Sequence, residues 1–236
     1  MTQKILHKAE SRGHLNHGWL DTYHSFSFGS YYNPENINFG ALRVLNDDRI
    51  AARSGFGTHP HENIEIITIP ISGQLTHIDS MGNTSIIKQG EIQVMSAGSG
   101  ITHSEYNYED SMLELFQIWI LPNKHGVEPR YNQIDLATIK KNNELFQILS
   151  PNPDDQGVWI HQNAWFHIGF LDKDLSRTYS LKNKDNGTYT FLIDGKAEVE
   201  GELLTKRDAL GIIDTESIEI KTKANSHILI IEVPLI

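Results

Sequence analysis

The chain contains no cysteine. That one absence excludes a disulfide framework, thiolate zinc sites, iron–sulfur clusters and a cysteine nucleophile, so any bound metal must be held by nitrogen and oxygen. Long apolar runs are missing as well: none approaches the roughly 20 residues that span a bilayer. Met1 to Gly13, with Lys4, His7, Lys8, Glu10 and Arg12, carries no signal-peptide core. A soluble, cytoplasmic protein without membrane contact is expected. Positive charge is scarce, with 20 Lys plus Arg against 30 Asp plus Glu and a net charge of −10. Such a field repels phosphate backbones and anionic lipid, which argues against direct nucleic-acid binding. With 39% hydrophobic residues in 236, the chain can bury a real core.

Helical periodicity is almost absent from Trp19 to Leu121. Phe39 to Leu45, Asn63 to Ile69, Leu75 to Ile78, Ile92 to Met95 and Leu113 to Ile120 read instead as short strands rich in β-branched and aromatic residues. Ser72-Gly73 and Ser80-Met81-Gly82-Asn83 supply turn chemistry between them. Pro122 to Gly157 is richer in proline and asparagine, reads as a linker, and carries one short predicted helix near Leu136 to Asn142. Strands then resume to Val233. The economical interpretation is all-β, with two units in tandem, each a sandwich or barrel of antiparallel strands.

Histidine is over-represented, at 12 residues, and its placement is informative. Gly55-Phe56-Gly57-Thr58-His59-Pro60-His61-Glu62-Asn63-Ile64-Glu65 is followed by Gly98-Ser99-Gly100-Ile101-Thr102-His103-Ser104-Glu105-Tyr106-Asn107. Residues two apart in a strand share a face, so His59 and His61 form one pair of donors and His103 and Glu105 another. Three imidazoles and a carboxylate suit a divalent first-row metal. By parity Glu65 competes with Glu105 as the oxygen ligand, and spacing does not choose between them. His14, His17 and His24 fall in an aromatic segment expected to pack on the barrel. His77 and His125 are expected at the surface, and His161, His167 and His227 as strand or surface residues.

These motifs resemble the two signatures of the cupin superfamily, and their details resemble the pirin family within it. The resemblance rests on Arg12-Gly13-His14, His17-Gly18-Trp19-Leu20-Asp21, His24-Ser25-Phe26-Ser27-Phe28, Phe56-Gly57-Thr58-His59-Pro60-His61, Asp79-Ser80-Met81-Gly82-Asn83, Ser96-Ala97-Gly98, His103-Ser104-Glu105-Tyr106-Asn107 and Gln117-Ile118-Trp119-Ile120. It implies a bicupin, two β-barrel jelly rolls facing each other. Residues 1–134 would form the N-terminal cupin domain with the metal site, and 135–236 a C-terminal cupin-like domain without one.

On the same resemblance the metal ligands are His59, His61, His103 and Glu105, with Glu65 left to support or packing. The implied ion is Fe(II), although Ni, Mn, Co, Cu and Zn also accept such ligands. The implied activity is a metal-dependent dioxygenase cleaving quercetin or a similar flavonol or enolic compound with O₂, Glu105 serving as the base. A monomer is expected. The alternative that the resemblance carries is a non-catalytic metal-binding regulator of transcription or of metabolic enzymes, docking a protein partner.

Overall fold

The computed structural model describes residues 2–236. Strands dominate, and the helical segments are single 3₁₀ turns at Ala9–Ser11 and Leu136–Thr138. The predicted helix at Leu136 to Asn142 thus contracts to one turn. Asp135 starts it, its side chain accepting from the Ala137 N–H at 2.8 Å, but the β-branched Thr138 and Ile139 follow at once and Asn143 turns the chain with φ 60°. The linker reading is also corrected: Arg130–Asp135 and Leu145–Ser150 within it are strands, the first paired with Glu91–Ser96 and the second with Trp165–Leu171.

Four sheets result, two of seven strands and two of four. One seven-stranded sheet runs Arg130–Asp135, Glu91–Ser96, Glu65–Ser72, Leu113–Ile120, Leu42–Ile50, Leu20–His24, Gly13–Asn16; its four-stranded partner runs Ser54–His61, Ile101–Asn107, Gln74–Asp79, Thr84–Lys88. The second pair is built from residues after Leu145 with one exception. Gln3–His7 crosses over and pairs with Ala209–Ile213 at the edge of the C-terminal sheet. Two two-sheet jelly rolls are formed in this way, the bicupin arrangement.

Alternation along the strands assigns each sheet face. Ile67, Ile69, Phe116 and Ile118 of one seven-stranded sheet join Phe166, Ile168, Phe191 and Leu229 of the other in a single buried cluster, with Phe116 edge-on to Phe191 at 5.3 Å. The opposite faces point into the two jelly rolls, and here the halves diverge. The C-terminal interior is filled by aliphatic side chains including Leu192, Val199, Leu210, Ile220 and Ile230. In the N-terminal interior, Asp48, Thr68, His77, Gln93, His103 and Glu105 are buried. Buried polar groups are costly without partners, so this interior is built for something other than stability.

Candidate metal centre

Two neighbouring strands of the four-stranded sheet carry the histidines. Ser54–His61 and Ile101–Asn107 run antiparallel with His103 opposite His59, and the register slips between His103 and Glu105. The extra residue falls at Gly57-Thr58, a bulge that re-aims the strand beside the site. His59 Nδ1 lies 2.7 Å from the Gly57 carbonyl, so Nδ1 carries the proton and Nε2 keeps its lone pair. The result is three imidazoles, His59, His61 and His103, whose ligand atoms all lie within 4.8 Å of one another. Glu105 lies outside this tight cluster yet lines the same cavity as His59 and His61.

The surrounding hydrogen bonds leave donors free for an ion. His103 Nδ1 faces His77 Nε2 at 3.0 Å, and His103 Nε2 is buried with no partner. Gln117 donates to Glu105 Oε2 at 2.7 Å while Oε1 is buried without a partner. Burial, then the neighbouring His59, depresses the His61 imidazole to about 4, and burial with the surrounding histidines depresses His103 further. Both are therefore neutral near pH 7, the form that binds metal. Burial raises the Glu105 carboxyl to about 7, the mark of an acid set where a cation would compensate it. Three clustered imidazoles, with an orphaned carboxylate oxygen lining the same cavity and no thiolate, fit a divalent transition metal.

Family comparison agrees with this geometry. Residues 6–120 match the Pirin family and residues 147–233 match the quercetinase C-terminal cupin domain. The chain is 40% identical over 230 residues to quercetin 2,3-dioxygenase of Escherichia coli (strain K12), covering 97% of this chain and 98% of the relative. The chain belongs to the pirin family. A pirin-like protein of Caulobacter vibrioides is 39% identical over 221 residues, 93% of this chain and 95% of its own length. The crystal structure of bacterial pirin YhhW from Escherichia coli in complex with nickel(II) superimposes with a TM-score of 0.94 at 39% identity, covering 99% of this chain and all (100%) of that one. No helix among the described residues of this pirin is long and apolar enough to cross a membrane.

Beside the imidazoles lies a chamber of about 200 Å³, walled by Leu20, Phe28, Phe56 and Trp119 and edged by Asn46 and Asp48. It shares Leu20, Thr22, His24, Phe28 and Phe56 with an outer depression of about 390 Å³ that reaches His17 and Gly29. The two together form a path from solvent to the site. Sequence reasoning missed several of its parts. His77 is not a surface residue: it is fully buried behind His103. Asp48 escaped notice, and Gln117 entered only as part of a family motif with no role, because single polar residues in strands carry no spacing signal. Thr22 Oγ1 donates to Asp48 Oδ1, and burial raises that carboxyl to about 7. His24, expected only to pack, is buried and also lines the chamber.

Glu65 is placed elsewhere. The parity argument assumed one unbroken strand, but the chain turns at Asn63, φ 49°, and Glu65 begins a strand of the other sheet. Its carboxylate accepts from Ser96 Oγ at 2.6 Å and is buried.

Proposed function

We propose that this pirin binds one divalent transition ion through His59, His61, His103 and Glu105, Fe(II) in the cell, and cleaves a flavonol such as quercetin or a related enolic compound with O₂. The observation that carries this reading is the cluster of three imidazoles, His59, His61 and His103, beside a chamber that also holds the unpartnered Glu105 Oε1 and is walled in part by Leu20, Phe28, Phe56 and Trp119. The chamber of about 200 Å³ and the adjoining depression of about 390 Å³ together give the room a planar phenolic substrate needs, which a docking protein does not require. The full-length similarity to an Escherichia coli quercetin 2,3-dioxygenase supports the same reaction class.

A divalent ion held there supplies Lewis-acid polarisation of the substrate's enol oxygen and brings it together with O₂. The protein's own groups do the rest. Glu105 Oε1, the oxygen that Gln117 leaves free, would hold an ion only weakly and give way to receive the enol proton. Leu20, Phe28, Phe56 and Trp119 hold the ring system and exclude water from it. Asp48 and Asn46, which line the same chamber near Glu105, meet substrate hydroxyls.

Oxygen consumption with quercetin by Fe(II)-reconstituted protein, run beside His61→Ala with metal analysis of both, tests the reading. Metal-dependent uptake that the variant loses is expected. Bound metal without uptake would transfer the assignment to a metal-dependent regulator, and absence of bound metal would remove the site.

A further inference from the structure

The turn His17-Gly18-Trp19 reaches the approach to the metal centre. It joins Gly13–Asn16 to Leu20–His24, with the His17 N–H donating to the Leu20 carbonyl at 2.8 Å and the Trp19 carbonyl accepting from the Ala51 N–H at 2.8 Å. Gly18 holds φ 84°, a left-handed value that glycine adopts without steric cost. Trp19 is fixed in this way edge-on to Phe56 at 4.9 Å, and Phe56 in turn lies 6.3 Å from His59. Trp19 lines only the outer depression, whereas Phe56 lines both that depression and the chamber. One aromatic surface therefore leads from the rim to the imidazoles.

The two compartments meet at a collar of Leu20, Thr22, His24, Phe28 and Phe56. Phe28 stands edge-on to His24 at 5.4 Å and to Trp119 at 5.1 Å, and Thr22 is tied to Asp48, so several of the collar's side chains are held in place. Inside the collar the volume is about 200 Å³, and outside it about 390 Å³. Sites that enclose a small-molecule ligand span roughly 300–1,000 Å³. The chamber alone falls short of what a three-ringed compound needs, and the two compartments together supply it. Among the described residues no Asp, Glu, Lys or Arg lines the outer depression, in a chain whose net charge is −10. Such a lining suits an uncharged ring, since a charged group there would lose water without gaining a partner.

We propose that Trp19 is a specificity-determining residue that selects substrates in two parts, an enolone ring system seated in the chamber and a pendant aryl ring lying beyond the collar against the indole. This assignment rests on the flavonol reading of the metal centre and adds the residue that tells a flavonol from a compact enol. A fixed indole offers a large contact area at little entropic cost, and an aryl ring packed against it gains both buried area and aromatic contact.

The probes are 3-hydroxyflavone and 3-hydroxychromone, which differ only in the pendant phenyl ring. Each is titrated calorimetrically, without O₂, into protein carrying Zn(II), an ion with no redox chemistry. The wild type should bind the flavone at least tenfold more tightly than the chromone. Trp19→Ala should bring the two within about threefold of each other by weakening the flavone alone, and Trp19→Phe, which keeps a ring, should restore most of the difference. Chromone binding also reports that Trp19→Ala is folded. Equal weakening of both compounds in Trp19→Ala would make Trp19 a packing residue and overturn the proposal, as would a wild type that does not separate the two compounds or binds neither. Oxygen uptake by the Fe(II) protein tells this site from the reaction: Trp19-dependent binding without uptake leaves the site standing and removes the dioxygenase, whereas uptake whose preference for the flavone survives in Trp19→Ala leaves the dioxygenase and removes the site.

Discussion

A single hydrogen bond, His103 Nδ1 to His77 Nε2 at 3.0 Å, decides which nitrogen of His103 faces an ion. With the proton on Nδ1, Nε2 is the donor, and it is the atom left without a partner. His77 therefore acts as a positioning residue. Replacing it by Leu should lower metal affinity by about 10- to 100-fold, the usual loss when the group orienting a ligand is removed. His77→Gln, which keeps an acceptor, should recover part of that loss in a metal titration of the otherwise intact protein. Glu105 offers a complementary test: Glu105→Gln should retain metal through the three imidazoles while turnover stops. Normal turnover in Glu105→Gln would remove this carboxylate from proton transfer.

At the scale of elements, the turn after His61 matters most. Asn63 with φ 49° ends one strand, and its backbone N–H donates to the Gly98 carbonyl at 2.9 Å, so the loops after His61 and before His103 brace each other. Gly98 has φ 49° itself, and a Cβ there would come within 2.1 Å of the Val127 carbonyl oxygen. Gly98→Ala should destabilise by on the order of 3 kcal/mol, combining backbone strain with steric displacement, as a lower urea midpoint would report. Since the braced loops carry the two donor pairs, the same variant should bind metal more weakly. The parity argument for Glu65 failed for this reason: periodicity of two holds only inside one strand, and the strand change falls between His61 and Glu65.

At the scale of the molecule, the layers run four-stranded, seven-stranded, seven-stranded, four-stranded, with the main apolar cluster between the inner pair. Asp47, joined to Arg12 and Arg207, ties the units across this contact. Asp47→Ala should cost about 3–5 kcal/mol, since it strands two buried guanidiniums, and urea unfolding would measure it. The C-terminal unit has its own signature in acid. His167 is 6% exposed beside Tyr179, with Lys182 nearby, and burial first and Lys182 second depress its imidazole to about 3. Above its ordinary range neither folded nor unfolded chain protonates it, so it has no effect. As pH falls below about 6.5 the unfolded chain takes up the proton that the folded one refuses, and stability drops by about 2 kcal/mol at pH 5. His227, depressed to about 4, adds a loss of the same sign. His167→Phe should therefore lose less stability between about pH 7.5 and pH 5 than the wild type, and an equal loss in both would refute the assignment.

The sequence by itself determined the all-β class, the two units in tandem and the candidate donors His59, His61 and His103, because alternation and turn chemistry are local and a two-residue spacing survives in any strand; between Glu65 and Glu105 spacing did not choose, and the family resemblance pointed to Glu105. Only the tertiary structure decided what lies behind and beside those donors. His77, Asp48 and Gln117 come from strands separated along the chain, and nothing local marks a polar residue as inward-facing until sheets are stacked. Gln3–His7 crossing to the C-terminal sheet, and Arg12 meeting Arg207 at Asp47, are products of long-range pairing. Those contacts depend on which faces the hydrophobic effect brings together, a property of the whole chain that no short stretch encodes.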